Sequence, residues 1–477
     1  MARTLSTTAH GPATTAVAVP ALRSARTRAG SALDRASFDA FVAEVFEELP
    51  RADQRRWAHV YTRGLLVTPG RKTARRLAGT VSGSATAAQA LHQFVNASPW
   101  GWQPVRARLT DWVVGRALPR ALVIGTAVLP KRGDRSCGVH RRFVPQEGRT
   151  VNCQIGVAAF LATDAATVPV DWRLLLPGAW ADDPELRSRA RVPESAPSTR
   201  GPADRQVLDL VDGVTRTLSE PATGQLPVVA DLVGFADTTA LVGGLLARRR
   251  RFVVAVPDDL AVLPDRSAPG TQGARPDQGA VPARDVLAAR PARAPLHPRA
   301  TTVATGVVRL PGTPVALRLI GGQGADGSGD GRIWLTDLVD RPPREVRAAA
   351  RLHLRAADTM EQLADSFGLR AFEGRSYPGW HHHMTLVSAA FAYGTLGSAT
   401  ARPGAPARSV HGPRSGRPPR GARVPVSPAG SARGSTGPAR PSPTGAPETS
   451  SRASSPPTRP AAPPSRATTN PTRTESP

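Results

Sequence analysis

Short apolar segments rich in β-branched residues recur between residues 121 and 339, and they constrain the fold more than any other feature of the sequence. Such runs are typical of buried strands, whereas a helix places its apolar residues three or four positions apart. The strand pattern is present at 121–130, 151–163, 226–231, 251–257, 301–310, 314–321 and 333–339, and helical spacing at 238–248, 344–367 and 384–396. This alternation predicts an α/β fold, with a mostly parallel or mixed sheet whose faces are covered by helices.

The segment before the first strand has helical spacing. Its first apolar run ends at Pro50 and contains Phe38, Phe41, Val42, Val45 and Phe46, and similar patterns cover 55–66, 85–96 and 102–117. The sequence therefore predicts a basic helical domain over residues 35–118, a candidate for DNA binding. Four of its basic residues form either an ordinary solvated face or a surface that contacts phosphates. They are Arg71, Lys72, Arg75 and Arg76.

Three segments show no apolar periodicity. Residues 1–34 are predicted to be a disordered basic leader, with a transit peptide as the alternative. Residues 258–300 are predicted to be a loop inserted into a core that spans 119–397. Residues 398–477 are rich in Pro, Arg and Ser and cannot bury enough apolar surface to offset the entropy of ordering. We expect a disordered basic tail there, or the product of a frameshift.

The net charge of +25, from 62 basic and 37 acidic residues, predicts a polyanionic partner, most simply nucleic acid. No apolar run approaches the roughly 18 residues that span a bilayer, so no membrane segment is expected. Two cysteines exclude a disulfide-stabilised secreted scaffold.

Metal sites with histidine or cysteine ligands are disfavoured. Cys137, His140 and Cys153 lack a fourth ligand at zinc-finger spacing, and cysteines in strand-like sequence usually pack as small apolar residues. The consecutive histidines 381–383 cannot converge on one ion from a helix, which favours packing or capping. The glycines of 320–331 do not lie between a strand and a helix, so a flexible loop is expected rather than a nucleotide-binding turn.

The carboxylates carry more information. Asp231 ends an apolar strand, where α/β folds place active sites, although an aspartate there can also cap the next helix. Asp358 and Glu361 are three residues apart and so share one helix face, either solvated or metal-binding. Asp182 and Asp183 precede Pro184 and are expected to cap a helix.

Three blocks of motifs resemble the transposases of insertion sequences in the DDE superfamily. The first contains Pro130-Lys131-x-Gly133, Ser136-x-Gly138-Val139, Asn152-Cys153-Gln154 and Asp171-Trp172-Arg173-Leu174. The second is VVADLVGFAD at 228–237, which resembles that family's second acidic strand. The third, at 367–393, resembles its C-terminal block with an aromatic-Glu-x-Arg and a Trp-x-His run. The resemblance covers about 35–395.

The resemblance implies an RNase H-like fold in which three carboxylates hold two divalent ions, Mg²⁺ or Mn²⁺, for cleavage and transfer of DNA strands. It places catalytic acids at Asp231 and Asp358, with Glu361 as a nearby alternative, and metal ligation at Asp231 and Asp358. It implies double-stranded DNA as partner, both element ends and target, contacted by Lys131 and Arg132, and a homo-oligomer assembled on that DNA. It also implies a cytoplasmic, nucleoid-associated protein of a prokaryote.

The family's first acid falls at Gly125 or Thr126, and neither residue can bind a metal as a carboxylate. The sequence therefore leaves two interpretations open. One is a transposase that lacks one arm of its catalytic site. The other is a DNA-binding relic without catalytic activity.

Overall fold

A mixed sheet organises the part of the chain described by the computed structural model, which comprises residues 34–144, 148–194, 203–218, 226–265, 279–289, 303–321 and 331–398. Within these residues the sheet has eleven strands. They are β1 (Pro119–Pro130), β2 (His140–Val144), β3 (Arg149–Thr163), β4 (Thr167–Leu174), β5 (Val228–Ala230), β6 (Phe252–Val256), β7 (Ala261–Pro264), β8 (Val281–Pro282), β9 (Ala304–Arg309), β10 (Leu317–Gly321) and β11 (Ile333–Thr336).

The same described residues form thirteen helices, several of which cover the faces of the sheet. They are α1 (Arg35–Val45), α2 (Ala52–Val67), α3 (Ala74–Val81), α4 (Ala87–Asn96), α5 (Trp102–Arg116), α6 (Ala179–Asp182), α7 (Pro184–Arg189), α8 (Ala203–Thr217), α9 (Thr238–Ala247), α10 (Ala283–Ala288), α11 (Pro343–Ala350), α12 (Leu352–Ser366) and α13 (Tyr377–Leu396). No helix in the described ranges is long and apolar enough to cross a membrane.

The centre of the sheet has the order β4-β3-β1-β5-β6. Strands β4, β3 and β1 are antiparallel neighbours, whereas β5 and β6 run parallel to β1. Three antiparallel strands followed by two parallel ones, with helices on the faces, form an RNase H-like α/β fold. The predicted fold class is therefore confirmed.

The sheet continues beyond β6 through β11, β10, β9 and β7, which pair antiparallel. Strands β7 and β8 and helix α10 fall within 258–300, where the sequence predicted a loop. The two strands were missed because they contain only four and two residues, too few to show periodicity. The remainder of that segment, the leader up to residue 33 and the tail from 399 lie outside the described residues.

Helix α13 lies in the interior, against β4 and helices α2, α4 and α5. It begins at Tyr377, seven residues before the predicted start, because the Ser376 hydroxyl caps it by accepting from the Gly379 N–H (3.2 Å). Nearly all of its residues are buried, so the helix has no polar face and no periodic pattern. One apolar core extends from Phe38 in α1 to Leu396 at the end of this helix.

Candidate functional site

The C-terminal end of β5 places Asp231 beside the position where the family's first acid is missing. In the parallel pairing of β1 with β5, Ile124 lies opposite Ala230. The next residues are Gly125 and Asp231, which therefore stand at one level on strands about 4.8 Å apart. A carboxylate at 125 would face Asp231, as a shared metal site requires.

Asp231 forms an ion pair with Arg332, the residue before β11. The Arg332 Nε lies 3.0 Å from the Asp231 Oδ2, and the Asp231 side chain is 17% exposed. Its other oxygen, Oδ1, accepts weakly from the Val233 N–H at 3.5 Å. The following helix, α9, is capped by Asp237, whose Oδ1 accepts from the Ala240 N–H at 3.0 Å. Asp231 therefore does not act as the helix cap that the sequence offered as an alternative.

The two candidate acids on α12 are exposed. Between Asp358 and Glu361 lies buried Thr359, whose hydroxyl donates to the Thr167 carbonyl of β4 at 3.1 Å. Within the described part of the chain, no three His, Cys, Asp or Glu side chains are grouped so as to hold a metal ion. The structure thus does not gather Asp231, Asp358 and Glu361 into one such set.

These residues do not fit a two-metal centre. Hard divalent ions need several oxygen ligands, and a bridging carboxylate is normally shared between them. Here glycine stands opposite Asp231, and the charge of Asp231 is compensated by a guanidinium. The residues present therefore lack the set of oxygen ligands that two divalent ions need.

The motifs of the first block hold a loop against the sheet. The Asn152 Nδ2 donates to the Gly133 carbonyl at 2.6 Å, and the Gln154 Nε2 donates to the Cys137 carbonyl at 2.6 Å. The Cys137 N–H in turn donates to the Arg375 carbonyl of the C-terminal block at 3.0 Å. Asn152 and Gln154 therefore determine the course of residues 131–139.

The two basic residues predicted to contact DNA in this loop differ in environment. The Lys131 Nζ donates to the Phe372 carbonyl at 2.5 Å, and burial lowers its pKa to about 8, against the opposing effect of Glu373. Arg132 is exposed. Arg132 stays a candidate for phosphate contact, whereas the ammonium of Lys131 already holds the segment that precedes α13.

The N-terminal basic cluster also combines exposed arginines with a buried lysine. Arg71, Arg75 and Arg76 are exposed at the start of α3. Lys72 is buried, and its Nζ donates to the carbonyls of Leu65 (2.7 Å) and Thr68 at the end of α2. Burial, and secondarily the charge of Arg76, lowers the Lys72 pKa to about 8. The arginines stay candidates for phosphate contact, and Lys72 closes a helix end.

A buried arginine joins the helices, the sheet and α13. The Arg106 Nη1 lies 2.7 Å from the Asp171 Oδ1, and its Nε donates to the Thr385 hydroxyl at 2.8 Å. Its Nη2 donates to the His381 carbonyl at 3.0 Å. Arg106 on α5 therefore links β4 with α13.

The consecutive histidines are packing residues, as expected. The two ring nitrogens of His382 lie 2.8 and 2.9 Å from the carbonyls of Val95 and Trp100, and burial lowers its pKa to about 4. Cys137 and Cys153 are buried, and burial raises the pKa of Cys137 to about 12. Asp183 caps α7 as predicted, accepting from the N–H groups of Glu185 and Leu186.

Sequence reasoning missed two arginines, one that pairs with Asp231 and one that contacts the loop after it. Arg332 follows a glycine-rich segment and belongs to no motif, so only the folded sheet brings it to the aspartate. Arg142 of β2 lies over the ring of Phe235, in the loop after Asp231, at 5.3 Å from the ring centre. The one sequence signal is that Arg332 directly precedes the predicted strand at 333–339.

Comparison with known proteins agrees with this geometry. The sequence model of a family described as DDE superfamily endonuclease matches residues 44–307, more than half of the chain. The match covers β1 and β5 together with the helical N-terminal part. No curated protein matches the chain. The chain belongs to the DDE superfamily of endonucleases.

Proposed function

We propose that this protein is a transposase-type protein of a bacterial insertion sequence that binds duplex DNA at the element ends, and that its strand cleavage is impaired. The observation that carries the proposal is that Gly125 and Asp231 directly follow Ile124 and Ala230, which pair in the sheet. The motifs of the three blocks, which include Lys131 and Asn152, favour the particular branch of the superfamily that they resemble.

DNA binding rests on the family and on the net charge of +25. We assign end recognition to the helices of 35–118, with Arg71, Arg75 and Arg76 as phosphate contacts, and further contact to Arg132. Neutralised phosphates release counterions, so affinity for DNA is expected to fall steeply with salt. Pairing of two element ends would engage a second copy of the chain, in the cytoplasm near the nucleoid.

The impaired chemistry follows from the missing carboxylate. DDE superfamily endonucleases generally use divalent metal ions, and loss of a group that stabilises transition-state charge costs about 10² to 10³ in rate. Asp231 and either Asp358 or Glu361 would be the remaining acids. The Arg332 pair favours a second candidate function, a relic that occupies the ends without cutting and so competes with active copies.

The test is cleavage of a labelled duplex that carries the terminal repeats flanking the gene, with Mg²⁺ or Mn²⁺. Thr126 is exposed, and a Cβ at Gly125 meets only the Phe160 ring at 3.3 Å, so Gly125→Asp and Thr126→Asp both fit with small adjustments. We expect at least one of them to cut about 100-fold faster than the unmodified chain.

The matched control adds Asp231→Ala to the faster variant, which should abolish the gain. Robust cleavage by the unmodified chain that depends on Asp231 would refute the impairment. If neither variant cuts but the chain binds terminal repeats, the relic is the better description. If no DNA binds, both candidate functions fail.

A further inference from the structure

A two-stranded ribbon projects beyond the end of β1. Strand β3 pairs with β1 only from Cys153 onward, where Cys153 lies opposite Pro130. Residues 149–152 of β3 pair with β2 alone. Since Pro130 lies five residues after Gly125, the ribbon begins about 17 Å from the level of Gly125 and Asp231, on the side toward which β1 runs.

The ribbon is anchored to the loop that follows Asp231. Arg142 of β2 lies over the ring of Phe235 at 5.3 Å, a cation–π contact. At its base, the Lys131 N–H donates to the Asn152 carbonyl at 2.8 Å. The ribbon is therefore held in a defined position relative to the candidate site.

The other face of the ribbon is basic and aromatic. Side chains alternate along a strand, so Arg141 and Phe143 share the face opposite Arg142, about 7 Å apart. Both are exposed, and Phe143 is 58% exposed. The described residues of the ribbon, 140–144 and 148–153, contain no acid.

This face is suited to nucleic acid rather than to protein. Arginines along an edge strand disfavour pairing with a further strand, because the added strand would remove their charges from water. An arginine beside an exposed aromatic ring is the combination that binds a phosphate and stacks on a base. Bases within a duplex are already stacked, so an open ring favours a base that has left the duplex.

We propose that Arg141 and Phe143 bind an unpaired stretch of the DNA strand that leads away from the candidate site, Arg141 contacting a phosphate and Phe143 stacking on a base. The inference rests on the proposed binding of DNA. It adds a second DNA-contact surface, on the sheet edge, to the one assigned to the N-terminal helices. It requires neither metal ions nor cleavage.

The experiment measures fluorescence anisotropy of the full chain with two labelled DNAs, a blunt duplex and the same duplex with a single-stranded extension. Phe143→Ser should weaken binding of the extended DNA at least about fivefold and change blunt-duplex binding little, because stacking on one base is lost. Phe143→Trp should retain the affinity. Arg141→Gln should lower the slope of log K against log salt by about one for the extended DNA.

Two controls match these changes at the opposite end of β1. Leu118→Ser removes an apolar side chain that is 44% exposed, and Arg120→Gln removes an exposed arginine paired with Asp164. Neither control variant should change the difference in affinity between the blunt duplex and the extended DNA. Since all four side chains are exposed, the thermal transition of each variant should stay that of the unmodified chain.

The outcomes separate the two proposals. If the unmodified chain binds DNA and Phe143→Ser binds each of the two DNAs as tightly as the unmodified chain does, the ribbon inference is wrong and the proposed function stands. Equal weakening on both DNAs would show that the ribbon contacts duplex, which also overturns the inference. Failure of the unmodified chain to bind either DNA would refute both.

Discussion

Acid should destabilise this protein through His383, a buried residue of α13. The Tyr61 hydroxyl lies 3.0 Å from its Nδ1, and the Gly368 carbonyl lies 3.0 Å from its Nε2. A neutral ring satisfies both partners, with Tyr61 donating to Nδ1 and Nε2–H donating to Gly368. Protonation would turn Nδ1 into a donor and break the fit with the hydroxyl.

Burial lowers the pKa of His383 to about 4, with the charge of Lys131 acting in the same direction and the hydrogen bond to Gly368 opposing it. In the unfolded chain a histidine titrates near 6.5. Between these values the unfolded state binds more protons, so stability falls as the pH is lowered. The full shift corresponds to about 3 kcal/mol, of which about 2 kcal/mol is lost between pH 7 and pH 5.

The assay is urea denaturation of the full chain at pH 7 and pH 5, followed by tryptophan fluorescence. In His383→Gln the loss of unfolding free energy between the two pH values should be smaller by about 2 kcal/mol than in the unmodified chain. His92→Gln, at an exposed position of α4, is the matched control and should leave the loss unchanged. If His383→Gln keeps the full loss, or if the ring titrates near 6.5 by NMR, the reasoning is refuted.

Two further predictions concern stability. Gly138→Ala should lower the unfolding free energy by at least about 2 kcal/mol, since φ is +76° and the new Cβ would lie 2.6 Å from the Leu175 carbonyl oxygen. Gly133→Ala, at φ +77° with open space, should cost only about 1 kcal/mol, and equal losses in urea denaturation would contradict the steric argument. Arg106→Met should cost about 3–5 kcal/mol by leaving Asp171 buried without its partner, and adding Asp171→Asn should restore part of it. A double variant less stable than Arg106→Met would contradict this.

The central strands β3, β5, β6 and β11 were the most predictable elements, because they are buried on both faces over most or all of their length. All seven predicted segments contain an observed strand. Strand β2 was missed because its arginines and exposed Phe143 lie at the sheet edge, and β4 because Pro169 and Asp171 interrupt its apolar run. Buried Asp171 is paired with Arg106, which is 65 residues away in the chain, so no local pattern could indicate that it is buried.

Helix boundaries were less predictable where tertiary contacts determine them. The segment predicted as one helix over 344–367 is α11 and α12, separated at Arg351. Helix α8 was missed, although it buries one face. At the candidate site, Asp231 was predicted to end its strand and does so, whereas its pairing with Arg332 depends on how β11 joins the sheet. The position of Arg332 beside Asp231 follows from how the strands pair, which cannot be read from the sequence.

The motifs behind the family resemblance serve mainly the fold. Asn152 and Gln154 bind backbone carbonyls of the 131–139 loop, and Lys131 binds that of Phe372. Such contacts stabilise the chain whether or not it cuts DNA, so they can persist after catalysis is lost. Gly125, which follows Ile124 in the pairing of that residue with Ala230, bears directly on the proposed catalysis. A strong motif match and an impaired catalytic site are therefore compatible in one protein.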